Sequence, residues 1–241
     1  RGRREGPPAP GRRVNAAQAE VLENLEWFKW LRLAFPDHVT ERFAEHHEQL
    51  WRWVWNLEQG VRPNPLVAIL GRGGAKSSSA EMAVVTTGAR NQRRYWLYVC
   101  GTQDRADDHV QTIGGMLESE SIGILYPDLA SKQIGKHGNS RGWRRNRLWT
   151  ASGLIVDAIG LDTASRGVKL DDQRPDGLVL DEIDSRHDSQ ATTRKKVEAL
   201  TEGIIPAGSP DVATLAVQHL IHRGSVFAQL ADGRADFLKR R

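Results

Sequence analysis

The sequence predicts an α/β fold with a mainly parallel central sheet flanked by helices, plus an N-terminal helical extension. Three observations predict it. Short apolar runs recur along the chain, each bounded by turn residues, as buried strands require. Helical stretches separate those runs, the alternation that builds a parallel sheet covered on both faces. Upstream of the first run, apolar residues recur instead at helical spacing.

The elements follow in order. Residues 1–13 are basic and proline-rich and read as a disordered arm, or as a remnant of a longer chain, since residue 1 is Arg. They contain no apolar stretch, so they do not resemble a signal peptide. Over residues 14–35, Val21, Leu22, Leu25, Phe28, Leu31 and Leu33 mark a helix that Pro36 closes. A second helix is predicted over about 39–57, broken by Gly60, Pro63 and Pro65. Residues 14–62 thus form the extension. Trp27, Trp30, Trp51, Trp53 and Trp55 fall within it, and its helices are expected to pack an aromatic-rich core.

Residues 63–236 form the α/β core. Residues 66–70 are the first buried strand, followed by a Gly-rich turn at 71–75 and a helix to about 90. Residues 95–100 are a second strand, and 104–117 a helix with Asp104 near its N-terminus, where a carboxylate is favoured. Residues 131–143 read as a loop, and 147–159 as a hairpin turning at Ser152-Gly153. A strand over 177–180, a helix over 192–202, a strand over 212–217 and a helix from 225 complete the core. Residues 237–241 read as the start of a linker.

Composition narrows the function. The net charge is +4 and the pI about 9.4, a mild basic excess compatible with a polyanionic partner. No apolar run approaches the roughly 20 residues of a membrane span. A single cysteine, Cys100, excludes an internal disulfide and fits a reducing compartment.

Two motifs carry chemistry. The segment Gly71-Arg72-Gly73-Gly74-Ala75-Lys76-Ser77 lies between a strand and a helix. Small residues let successive backbone N–H groups wrap a phosphate; a lysine reaches its oxygens and a hydroxyl serves Mg²⁺. The strict phosphate-loop pattern has glycine where Leu70 and Ala75 stand, so a Gly-rich turn with a solvated lysine also explains the segment. The second motif, Leu178-Val179-Leu180-Asp181-Glu182, is an apolar strand ending in two carboxylates. In ATPases with an extra strand between the two motifs, such an Asp orients Mg²⁺ and such a Glu polarises the attacking water. Asp-Glu can also simply begin a loop. Its position after the right kind of loop favours the ATPase.

Around these motifs stand Val99-Cys100-Gly101-Thr102-Gln103-Asp104-Arg105-Ala106, Ser165-Arg166-Gly167 and Arg174-Pro175-Asp176-Gly177. With them, roughly residues 40–235 resemble the N-terminal ATPase domain of the large terminase subunit of bacteriophages. The resemblance implies a P-loop NTPase fold of the ASCE type and hydrolysis of ATP, with Mg²⁺, to move double-stranded DNA into a procapsid. It implies nucleotide contacts from Gly71, Arg72, Gly73, Gly74, Ala75, Lys76, Ser77 and Ser78, with Gln49 at the base. Ser77 and Asp181 would hold Mg²⁺, Glu182 would activate water, and Arg166, with Arg72 as rival, would be the arginine finger. Gln218 would couple hydrolysis to motion. The implied partners are DNA, a portal protein, a small terminase subunit and further copies in a ring, expected to be a pentamer, in the host cytoplasm. The carboxylates of a terminase nuclease domain are not in this sequence, so it reads as an isolated ATPase domain.

Other readings remain beside this one: a helicase-like ATPase stimulated by nucleic acid, or a module that binds nucleotide or DNA without hydrolysis. His219 and His222 lack a third ligand and read as a solvated pair, and Cys100 reads as a core thiol. Arg144, Arg145 and Arg147 beside Trp143 and Trp149 fit either DNA phosphates or a charged hairpin edge.

Overall fold

The computed structural model describes residues 21–22, 24–136, 138–163 and 173–238. Its seven-stranded mixed sheet is flanked by helices. The strands are β1 (Leu66–Ile69), β2 (Tyr95–Cys100), β3 (Trp143–Arg144), β4 (Arg147–Trp149), β5 (Ile155–Gly160), β6 (Gly177–Asp181) and β7 (Ala213–Gln218). Their order is β1-β7-β6-β2-β5-β4-β3. The first five in that order run parallel, and β4 and β3 add an antiparallel edge. β7 therefore lies between β1 and β6, and the parallel strands all end at one edge, where Leu70, Gln218, Asp181, Cys100 and Gly160 stand.

Nine helices appear among the described residues: α1 (Trp27–Ala34), α2 (Glu45–Trp55), α3 (Lys76–Ala89), α4 (Gln103–Leu117), α5 (Glu120–Leu125), α6 (Pro127–Ala130), α7 (Gln190–Glu198), α8 (Ile205–Ala207) and α9 (Val226–Ala231). A π-helical turn, Ala199–Ile204, joins α7 to α8. Strand alternation sorts the core into two layers. Trp96, Tyr98, Cys100 and Val179 pack with residues of α1 to α5. Leu97, Val99, Leu178 and Leu180 face the other way, with Leu200, Ile204, Val226 and Phe227. Asp181 shares the parity of Val179 and so points beneath α3 and α4.

The N-terminal helices belong to the first of these layers. Trp30, Leu31, Leu50, Trp51 and Val54 are buried in the same cluster as α3 and α4 residues, and Trp30 meets Trp55 edge-on at 6.0 Å. Gln92 and Arg93 fasten the exit of α2: Gln92 donates to the Trp55 and Leu57 carbonyls, and the buried Arg93 guanidinium to those of Glu58 and Val61.

Three differences from the predicted elements have physical causes. The second helix begins at Glu45 rather than near residue 39, because Phe43 turns out to pack its ring against Trp27 at 4.8 Å. The helix expected over 192–202 loses α register at Ala199; Pro206 has no N–H to return to the Glu202 carbonyl. The segment read as a loop over 131–143 closes with β3, which adds a third strand to the predicted hairpin.

One close approach fixes the register of β2 and β6. Trp96 pairs with Gly177, and a Cβ on Gly177 would overlap the Trp96 indole. Gly177→Ala is therefore expected to destabilise the protein by about 2 kcal/mol or more through overpacking. Urea denaturation checks this; a midpoint equal to wild type would contradict it.

Candidate functional site

The turn from β1 into α3 is built by backbone conformation more than by composition. Gly73 has φ +79° and Ala75 has φ +49°. Ala75 thus takes the left-handed conformation that the strict pattern gives to a glycine. The Gly74 N–H donates to the Gly71 carbonyl at 3.2 Å, and the Leu70 N–H to the Gln218 carbonyl at 3.1 Å. Ala75 then serves as the N-terminal boundary of α3, whose first residues are Lys76 and Ser77.

His47 supports this turn from outside. Its Nδ1 accepts the Ala44 N–H at 3.1 Å, which leaves the hydrogen on Nε2 to donate to the Gly74 carbonyl at 3.1 Å. Gln49, the residue expected at the base, is exposed on α2, and it is His47 that touches the turn.

Opposite the turn, β6 delivers its two carboxylates to different places. Asp181 is 0% exposed. Its Oδ2 accepts the Tyr98 hydroxyl at 2.9 Å and lies 3.7 Å from His109 Nε2. Its Oδ1 is buried without a hydrogen-bond partner. Burial raises the Asp181 pKa, while His109, the Ser77 hydroxyl and Tyr98 oppose that rise. The Ser77 hydroxyl thus stands beside the Asp181 carboxyl. Glu182 has φ +49°, a conformation that costs on the order of 1 kcal/mol or more in a non-glycine residue and collects at functional sites. Its carboxylate turns to the cleft, where Arg105 Nη1 lies 2.7 Å away and Lys76 Nζ 3.9 Å away.

A cleft of about 1730 Å³ runs along this edge of the sheet, lined by Arg72, Gly73, Lys76, Arg105, Glu182 and Gln218 among others. Lys76, Ser77, Asp181 and Glu182 therefore converge, from the ends of strands separated by β7. Gly71 and Arg72 are exposed on the turn, with Arg72 at the cleft, and Ser78 is half-buried on α3. Arg166 lies outside the described residues. The strand leading toward it is fastened at its end: Gln103 accepts the Gly160 N–H at 2.9 Å, and Asp162 accepts the Gln103 N–H at 3.0 Å.

Among the described residues no three His, Cys, Asp or Glu side chains gather to hold a metal by themselves. Mg²⁺ commonly needs no such cage, because one or two carboxylates, water and substrate phosphates complete its shell. The Asp181 carboxyl, with the Ser77 hydroxyl beside it and its Oδ1 without a hydrogen-bond partner, fits that mode.

Gln218 faces the β6 exit. Its side-chain oxygen accepts the Asp184 N–H at 3.1 Å and its amide donates to the Asp184 carbonyl at 3.3 Å. The Asp184 carboxylate accepts the Val226 and Phe227 N–H groups, both at 2.9 Å, at the start of α9. The end of β7, the Glu182 turn and the C-terminal helix are thus one hydrogen-bonded unit. Asp176, in the block that carried most of the resemblance, lies at the opposite sheet edge. It accepts the Arg94 and Tyr95 N–H groups and so holds β2 to β6.

The sequence reading did not assign roles to Tyr98, Glu81, His109 or Asp184. A signal exists for His109. Arg105 and His109 are four apart on α4, hence on one face, and each reaches one of the paired carboxylates.

Compared with known proteins, the chain matches no protein-family model and no curated protein.

Asp184→Ala would leave two buried N–H groups at the start of α9 unpaired. It is expected to cost about 2–4 kcal/mol. Chemical denaturation measures this, and a loss under 0.5 kcal/mol (order of magnitude for a surface change) would contradict it.

Proposed function

We propose that this chain is the ATPase motor domain of a phage large terminase subunit, hydrolysing ATP to drive double-stranded DNA into a procapsid. The observation that carries the ATPase part is the convergence of Lys76 and Glu182, 3.9 Å apart, across a cleft from strands that flank β7. The terminase part rests on the resemblance of the ordered motifs. The portal protein, the small terminase subunit, the pentameric ring and the host cytoplasm follow from that resemblance.

In this reading the backbone N–H groups of residues 71–77 bind the phosphates, helped by the positive end of α3. Lys76 places its ammonium against the β/γ oxygens. Ser77 and Asp181 would hold Mg²⁺, which when bound neutralises charge developing on the transferred phosphoryl group. Glu182 takes a proton from the attacking water at its carboxylate oxygen. That carboxylate is paired with Arg105 at 2.7 Å, so engaging the attacking water means exchanging this partner for it. Arg72 is placed at the cleft to approach phosphate, and Arg166 is the candidate finger from the same or a neighbouring subunit. Gln218 would pass the state of the Glu182 turn to α9 through Asp184. DNA would be held through its phosphates, because a pump must ignore sequence.

Glu182→Gln should lower single-turnover ATP hydrolysis by about 10²–10⁴-fold while leaving ATP binding intact. The assay is run with DNA at high protein concentration, so that an arginine acting between subunits can contribute. Hydrolysis by wild type no faster than by the variant would refute the enzymatic reading.

A further inference from the structure

Behind the paired carboxylates lies a second layer of polar groups that the proposed chemistry does not use. Glu81, one turn after Ser77 on α3, is only 5% exposed. Its Oε1 meets His109 Nδ1 at 2.6 Å, and the His109 side chain is 18% exposed. The imidazole stacks on the Tyr98 ring, with centroids 4.9 Å apart and planes tilted 26°. Its other nitrogen, Nε2, faces Asp181 Oδ2 at 3.7 Å. The ring is thus fixed on three sides by a carboxylate, an aromatic face and a second carboxylate.

The two oxygens of Asp181 are thereby given different surroundings. Oδ2 receives the Tyr98 hydroxyl and faces His109. Oδ1 is buried with no hydrogen-bond partner. A carboxylate that is fully buried pays a desolvation penalty and can rotate to whichever donor satisfies it best. An imidazole fixed against Oδ2 opposes both effects.

We propose that His109, anchored by Glu81 and Tyr98, is a positioning residue that holds Asp181 with Oδ1 presented to a divalent cation. Outer partners of this kind orient a metal-binding carboxylate and raise metal affinity without touching the metal. The inference rests on the reading of Ser77 and Asp181 as the metal-holding pair. It adds a residue to which neither the phosphate loop nor the paired carboxylates pointed.

The test reads metal binding rather than hydrolysis. The Kd of the whole chain for ADP is measured by calorimetry with saturating Mn²⁺ and again with EDTA; the ratio is the gain that the metal confers. His109→Gln keeps a side-chain donor but removes the ring that stacks on Tyr98, and His109→Ala removes the side chain beyond Cβ; thermal melting confirms that each is folded. Both variants should lose about tenfold or more of the Mn²⁺-dependent gain, with the EDTA value within twofold of wild type. Glu81→Gln should shift the gain in the same direction by less. A gain within twofold of wild type in the folded His109→Gln variant overturns the proposal. Equal weakening with Mn²⁺ and with EDTA also overturns it, because His109 would then support the loop and not the metal. If wild type itself shows no Mn²⁺-dependent gain, the metal-holding role of Ser77 and Asp181 fails, and the role of His109 fails with it.

Discussion

Asp181 is a carboxylate at the end of a central strand with no exposure to solvent. Burying it costs several kcal/mol unless charge and hydrogen bonds compensate, and much of the local structure answers that cost. Tyr98 reaches it from β2 because residues 96, 98 and 100 share its side of the sheet. His109 reaches it from α4, and Glu81 fixes His109 from α3. The compensation is left incomplete at Oδ1. A buried acceptor without a partner is uncommon enough in native proteins to call for a reason; here an incoming cation would supply it.

The sheet order makes this arrangement possible. With β7 between β1 and β6, the turn after β1 and the carboxylates after β6 are held one strand apart, which opens a cleft between them. Across that cleft Lys76 and Glu182 approach to 3.9 Å. The intervening strand also ends in Gln218, which reads the main chain of Asp184 on one side while its own carbonyl accepts the Leu70 N–H on the other. A shift in either loop must therefore disturb the end of β7 and, through Asp184, the start of α9.

Much of the scaffold was legible because buried parallel strands leave an unbroken apolar record. Residues 95–100 and 177–180 read as strands from their apolar runs, and both lie in strands. The short helices over 120–130 were missed, since neither shows a full amphipathic repeat. Within the site, Lys76 and the paired Asp181 and Glu182 were legible because their chemistry requires a fixed local spacing. His109 was not, because its role arises from packing across three elements. Gln49 was chosen by its place upstream of the turn, but a helix turns the side chains of neighbouring residues in different directions, and His47 is the one that faces Gly74. The block from Arg166-Gly167 to Asp181-Glu182 is the most discriminating part of the resemblance, yet within it the structure gives Asp176 and Gly177 architectural roles.

The proposed function depends on the turn of residues 71–77 and the carboxylates of β6 being the two halves of one nucleotide–metal site. A crystal structure of the protein with Mg²⁺ and a non-hydrolysable ATP analogue tests it directly. The account predicts phosphates cradled by the turn, a metal between Ser77 and Asp181 Oδ1, and Glu182 released from Arg105 toward the γ-phosphate. An analogue bound elsewhere at saturation, with Asp181 Oδ1 still partnerless and Glu182 still paired to Arg105, would contradict it.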